Sequence, residues 1–301
     1  MNTTISHFGS ARRLFSFLQS ARHVWPVLLL AFTAVAWPQT AEQSILTYKQ
    51  YASIQHKSPY VLEFKAGAGS LLFYGAEHTG DPKDPQIADI ERRWAAFHPT
   101  FAYNEGGDPP TVADADSAVK QYAEPGFLRY LAGRDHVPVA TFEPSFDDEV
   151  SYALTKYSPQ QVKIFYALRQ VTEARVAAGS TSLDDRIKDW LSGLLPDHGL
   201  KNPPNDLAEF TAACRKLFPD LADWHKVPED WFDPTQSGHY TNELANDTGV
   251  FRDKHIFRVL VDRARRGDRV FAVIGSSHVV VQEPALLKEF GKPELKVNGL
   301  P

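Results

Sequence analysis

Two stretches far apart in the chain run a strand-length apolar segment into Gly-x-x-His: LLFYGAEH, closing on Gly75 and His78, and VFAVIGSSH, closing on Gly275 and His278. Each has a glycine where the backbone leaves the sheet and an imidazole just beyond, so each sets a histidine at a strand's carboxyl end. In open α/β sheets that edge is where ligands bind. Two further strand-like runs end in acids in the same way, TFAYNEGG at Glu105 and VPVATFEP at Glu143. Two histidines and two glutamates in equivalent places predict a metal or acid–base site.

The segments between these runs say what kind of sheet carries them. VLEFKAGAGSLLFYG reads as two strands around the small-residue turn Ala66-Gly67-Ala68-Gly69. That turn lacks the third glycine of a dinucleotide fingerprint, which excludes nucleotide binding there. Ile87, Ile90, Trp94 and Phe97 recur at helical spacing after Asp84-Pro85, and a second helix is expected over roughly 116–133. Strand, helix, strand, helix, strand predicts right-handed crossovers and mainly parallel neighbours. From about 147 to 247 the strand signal gives way to helical candidates over 159–178 and 183–194, separated by Pro-rich turns. This block is expected to be a helical insertion or cap over the site, with Trp190, Trp224, Trp231 and Phe232 filling its own core. Helical spacing over 250–266, through Phe251, Phe257, Leu260 and Val261, returns the chain to the His278 strand. The fold class expected is α/β, with a mixed, mostly parallel central sheet flanked by helices and a helical insertion.

Residues 1–36 hold Arg12, Arg13 and Arg22 but no acid, then an apolar stretch from Val27 that ends in Ala34-Val35-Ala36. A basic flank, a short apolar core and an A-x-A site describe an export signal too short to span a bilayer permanently. Arg12-Arg13-Leu14-Phe15 also matches the start of a twin-arginine signal. Residues 37–301 are then one periplasmic or secreted domain, with no stable membrane span after cleavage. Losing the three arginines takes the formal charge from −5 to −8, and no basic patch points to nucleic acid. Cys214 is the only cysteine, so an internal disulfide and a Cys-based zinc site are excluded. It lies at helical spacing with Phe210 and Leu217, as a packed small hydrophobe would.

Roles follow from residue chemistry. His78, His278 and one or both of Glu105 and Glu143 suit a divalent ion such as Mn, Co or Zn, with a position left for water. A glutamate that does not ligate is a candidate general base. Arg252 offers a fork of donors to an oxyanion or a substrate carboxylate, or else makes a structural ion pair, with Asp253 or an acid of the insertion as the candidate partner. Glu77 and Asp81 flank His78 as candidates to fix its tautomer, and His239 precedes the Arg252 helix as a candidate at the mouth. A serine nucleophile is excluded at Gly275-Ser276-Ser277-His278, because the elbow motif needs a glycine where Val279 stands.

Taken in order, Gly75-Ala76-Glu77-His78, Asn104-Glu105, Phe142-Glu143-Pro144, Arg252-Asp253 and Gly275-Ser276-Ser277-His278 cover about 61–290. This ordered set resembles the TraB/TIKI/GumN metalloprotease-like superfamily and, more distantly, the erythromycin-esterase and ChaN-like proteins. The chain departs from that pattern at Ala76 and Glu77, where the superfamily often has Thr after its first glycine. The resemblance implies metal-dependent hydrolysis of an amide or peptide bond, in a peptide or small-molecule substrate. The esterase relatives imply instead a metal-free ester hydrolysis with a histidine base, and the ChaN-like proteins a haem or iron–porphyrin binder without catalysis.

Overall fold

A computed structural model describes residues 40–176 and 182–300 of the chain. The export signal expected over 1–36 lies outside them. A short helix, α1 (Tyr48–Tyr51), precedes the sheet. Strands β1 (Tyr60–Ala66) and β2 (Gly69–Ala76) form the expected hairpin, and Gly67 turns it with a φ of 66°. Then come β3 (Phe101–Asn104), β4 (Val139–Thr141), β5 (Arg269–Gly275) and β6 (Leu295–Asn298), in the spatial order β4-β3-β5-β2-β1-β6. The pairs β3–β4, β3–β5 and β2–β5 are parallel, while β1 runs antiparallel to both its neighbours. The sheet is therefore mixed and mostly parallel. Strands β2 and β5 read as continuous apolar runs because helices cover both of their faces.

Helix α2 (Pro85–Phe97) starts where Asp84 accepts the Gln86 N–H, and α3 (Ala115–Arg134) where Asp114 accepts that of Ser117. Both cover one face of the sheet, through Ile87, Ile90, Trp94, Phe127, Leu128 and Leu131. The single helix expected over 116–133 is in fact broken: Tyr122 and Ala123 leave helical geometry just ahead of Pro125. Proline cannot donate to the preceding turn and its ring clashes with it, so the chain restarts there. Ala123 sits at φ 52° and ψ −146°, a region nearly reserved for glycine.

After β4 come α4 (Phe146–Leu154), α5 (Pro159–Val176), α6 (Leu183–Asp189), a π-turn over 190–194, α7 (Leu195–Asp197) and α8 (Leu207–Leu217). They close on an apolar cluster of their own, with Val162, Phe165, Leu168, Leu191, Phe210 and Trp224 among its members. Each such side chain contributes about 1.5–3 kcal/mol on burial. Trp190, Trp231 and Phe232 pack against this cluster. Cys214 is buried there, and burial pushes its thiol up to about 12, which makes it inert.

Helix α9 (Tyr240–Arg265) starts about ten residues before the expected Val250. The reason is packing: Leu244 belongs to the insertion's core and Tyr240 lies against it. One helix thus carries the chain from the cap to the sheet, and the cap ends near 239 rather than 247. Its later turns, with α10 (Ser276–Phe290), cover the second face through Ile256, Phe257, Leu260, Val279 and Leu286. Strand β2 sends the chain to one face and adjacent β5 sends it to the other. A crevice opens between their carboxyl ends, the switch point of the topology. Among the described residues, no helix is long and apolar enough to cross a membrane.

Candidate active site

The parallel register sets Ala76 beside Gly275 and Asn104 beside Val273 and Thr141. His78, Glu105, Glu143 and His278 therefore lie just past the strands at one edge of the sheet. Both motif glycines are there for close approach. A Cβ on Gly75 would stand 2.7 Å from the Ser276 Cα and 2.8 Å from the Tyr60 carbonyl, and one on Gly275 would stand 3.1 Å from Nε2 of His78.

The two imidazoles have different surroundings. His78 has 58% of its side chain exposed. Its Nδ1 lies 3.2 Å from Oε2 of the fully buried Glu124, whose other oxygen accepts the Thr79 N–H at 2.7 Å. A carboxylate only accepts, so Nδ1 carries the hydrogen and Nε2 keeps a lone pair, 3.6 Å from Glu105 Oε2. The bond to Glu124 holds the imidazole above its ordinary range; burial opposes the shift and the Glu105 charge adds to it.

His278 has only 11% of its side chain exposed. Its Nδ1 lies 2.8 Å from Oδ1 of the fully buried Asp253, which fixes the hydrogen on Nδ1. Its Nε2 then accepts from Arg252 Nη1 at 2.8 Å. The same guanidinium donates through Nε to Glu143 Oε2 at 2.6 Å, and through Nη2 to Glu143 Oε1 at 2.5 Å and Glu105 Oε1 at 2.8 Å. Backbone N–H groups steady the glutamates from behind, Gly275 on Glu105 at 2.7 Å and Gly106 on Glu143 at 3.2 Å.

Charge is set by this geometry. Burial pulls Glu105 upward, but Arg252, His278 and His78 outweigh it and hold the carboxyl down at about 2. A carboxylate that acidic has little proton affinity at neutral pH and makes a poor general base. Burial works against the Arg252 charge as well, and Glu143 and Glu105 more than offset it, holding the guanidinium well above its ordinary range.

Of the other expected residues, Asp253 is in place, as the partner of His278 rather than of Arg252. Glu77 is exposed, and Asp81 turns its carboxylate to the Lys83 N–H, so neither fixes His78. Glu124 does so instead. His239 stacks on Trp231 with ring centres 3.8 Å apart and belongs to the cap. Sequence reading missed Glu124, Tyr48 and Gln282. Glu124 had a signal in the Pro125-Gly126 break within a helical pattern; the other two had none.

A cleft of about 420 Å³ opens over the site. Tyr48, Glu105, Arg252 and His278 line its floor, α9 contributes Thr248 and Gly249, and Glu149, Arg169, Phe232 and Pro234 bring in the cap. Residues of the helical stretch and of the strand ends thus line the same cleft. No family model, no curated protein and no solved structure matches the chain.

Proposed function

We propose that the protein is a metal-independent hydrolase of ester or amide bonds, with His78 as general base. The observation that carries this reading is the position of Arg252. Three of the four side chains expected to bind an ion, Glu105, Glu143 and His278, direct their lone pairs at its guanidinium. As a donor set for a divalent ion they do not fit, because a fixed positive charge already stands where those lone pairs converge.

The chemistry uses the asymmetry of the two histidines. With Nδ1–H held by Glu124, Nε2 of His78 takes a proton from water, which attacks the substrate carbonyl. Four of the five N–H bonds of Arg252 are directed at Glu143, Glu105 and His278, which leaves one Nη1 hydrogen for the developing oxyanion. As the tetrahedral intermediate collapses, the imidazolium of His78 returns the proton to the leaving oxygen or nitrogen. Glu105 and Glu143 act neither as ligand nor as base: they hold the guanidinium in its plane. The export signal read in the sequence would put this activity in the periplasm or outside the cell, on a peptide or small molecule that fits the cleft.

The test is turnover of a panel of activated esters and amides by wild type and His78→Ala. Hydrolysis of at least one substrate, lost in the variant, is expected. Equal rates in the two proteins, or no hydrolysis of any substrate, would overturn the reading.

A further inference from the structure

Residues 40–58 form a strap ahead of β1 that lies across α9 and α10. Glu42 pairs with Arg258 through two bonds of 2.6 Å, the Leu46 N–H donates to the Val281 carbonyl at 3.0 Å, and Lys49 meets Glu243 at 2.5 Å. The strap buries Ile45 and Tyr48, and of the two it is Tyr48 that reaches the site. Its backbone N–H donates to Asn246 Oδ1 at 3.0 Å, and its hydroxyl donates to Asp253 Oδ2 at 2.9 Å and stands 3.0 Å from His278 Nδ1. Its ring lies on Gly249, where a Cβ would come within 2.6 Å of Cε2. Asn246, Gly249 and Asp253 recur at i, i+3 and i+7, one face of α9. That face meets Tyr48 at its amide, its ring and its hydroxyl in turn.

Burial, and after it the Asp253 charge, hold the Tyr48 phenol well above its ordinary range, so the hydroxyl remains a donor. Asp253 is wholly buried and receives three donors: Tyr48 on Oδ2, and His278 and Gln282 on Oδ1 at 2.8 Å each. Removing the phenol frees one oxygen, and the carboxylate can then turn about its Cβ–Cγ bond.

We propose that Tyr48 is a positioning residue: by fixing Asp253 it holds His278 with Nδ1–H inward and Nε2 on Arg252, and so sets the guanidinium in the cleft. Gly249 is the residue that lets it do so. The effect on turnover rests on the hydrolase reading above, whereas the hydrogen-bond arrangement is measurable without any substrate.

The experiment is nuclear magnetic resonance of the full chain carrying isotope-labelled histidine, with the Nδ1 proton of His278 assigned by its loss in His278→Gln. A far-downfield line, slow to exchange with water, is expected in wild type. Tyr48→Phe, folded by circular dichroism, should broaden that line and speed its exchange. Gly249→Ala keeps the hydroxyl but displaces the ring, and should do the same. A sharp, slowly exchanging line retained in either folded variant overturns the proposal. With a turned-over substrate, Tyr48→Phe should lower kcat by about 10-fold to 100-fold, the scale of losing a partner that orients a histidine, with KM nearly unchanged. A kcat loss without a change in the line also overturns positioning. Broadening in both variants of a protein that hydrolyses nothing supports positioning and removes the hydrolase reading alone.

Discussion

The His78 and His278 corners begin from the same local instruction, an apolar strand, a glycine and a histidine three residues on, and end as different chemical objects. The His78 side chain is 58% exposed and its bond to Glu124 raises its basicity, with Nε2 3.6 Å from Glu105, which lines the cleft. That of His278 is 11% exposed, and both its nitrogens are taken, by Asp253 and by Arg252. The divergence comes from the path of the backbone beyond each strand. After β2 the chain runs on as a loop toward α2, whereas after β5 it enters α10 at once, and the third residue of a helix beginning at Ser276 is carried under α9. A repeated motif therefore predicts where a group lies and not what it does; its second neighbours decide that.

The largest expected effect breaks the comparison at its centre. Arg252→Ala leaves the part-buried Glu105 and Glu143 without their cation, and should cost up to about 3–5 kcal/mol of stability as well as all turnover. Urea unfolding measures it; a variant as stable as wild type would show that the guanidinium is not what holds the carboxylates together. Next in size is the pH dependence that Glu105 brings. Its carboxyl is at about 2 in the folded chain against an ordinary 4.5, so its stabilisation is complete above 4.5 and is lost as pH falls toward 2. The shift corresponds to about 3 kcal/mol. Glu105→Gln should remove that part of the acid-unfolding slope, and an unchanged slope would refute the assignment.

The histidines themselves sharpen the contrast. His278→Ala takes a hydrogen bond from Asp253 and one from Arg252, and should cost about 1.5–3 kcal/mol, the range for bonds to charged groups. His78→Ala takes a partner from the buried Glu124, but at a half-exposed site where water can replace it, and should cost about 0.5–1.5 kcal/mol while lowering kcat by roughly 100-fold to 10,000-fold. Equal unfolding midpoints for the two variants would erase the distinction. The smallest effect is on pH alone. His78 must be deprotonated to act, so kcat/KM should rise with pH through a value above 6.5. Glu124→Gln removes the charge that helps raise it, and should move that limb down toward 6.5. A limb that stays put would separate Glu124 from the base.

What the sequence made legible was whatever is set by strand geometry. The apolar runs placed Gly75, Gly275, Glu105 and Glu143 at one edge, and helical spacing put Arg252 on a helix that returns to it. What it could not show depends on approach through space. Tyr48 comes from a segment with no periodicity of its own, and its partners Asn246, Gly249 and Asp253 form a stripe that means something only once the strap lies on it. Gln282 is likewise brought to Asp253 by the packing of α10 on α9. Glu124 is a different case. The break at Pro125 was readable, but its consequence, a buried carboxylate turned to His78, needed the path of α3 across the sheet. The direction of the Arg252 fork was hidden for the same reason: the sequence gives the four candidate groups but not the guanidinium that Glu105, Glu143 and His278 face.

In the proposed hydrolase a fixed guanidinium, with His78 as base, takes the place of an ion. This is tested most directly by exhaustive chelation of the full chain, metal analysis of the product, and comparison of its ester or amide hydrolysis with that of untreated protein and of protein resupplied with Mn, Co or Zn. The same rate is expected in all samples, with negligible metal in the chelated one. Activity that disappears with the metal and returns with one of these ions would contradict it.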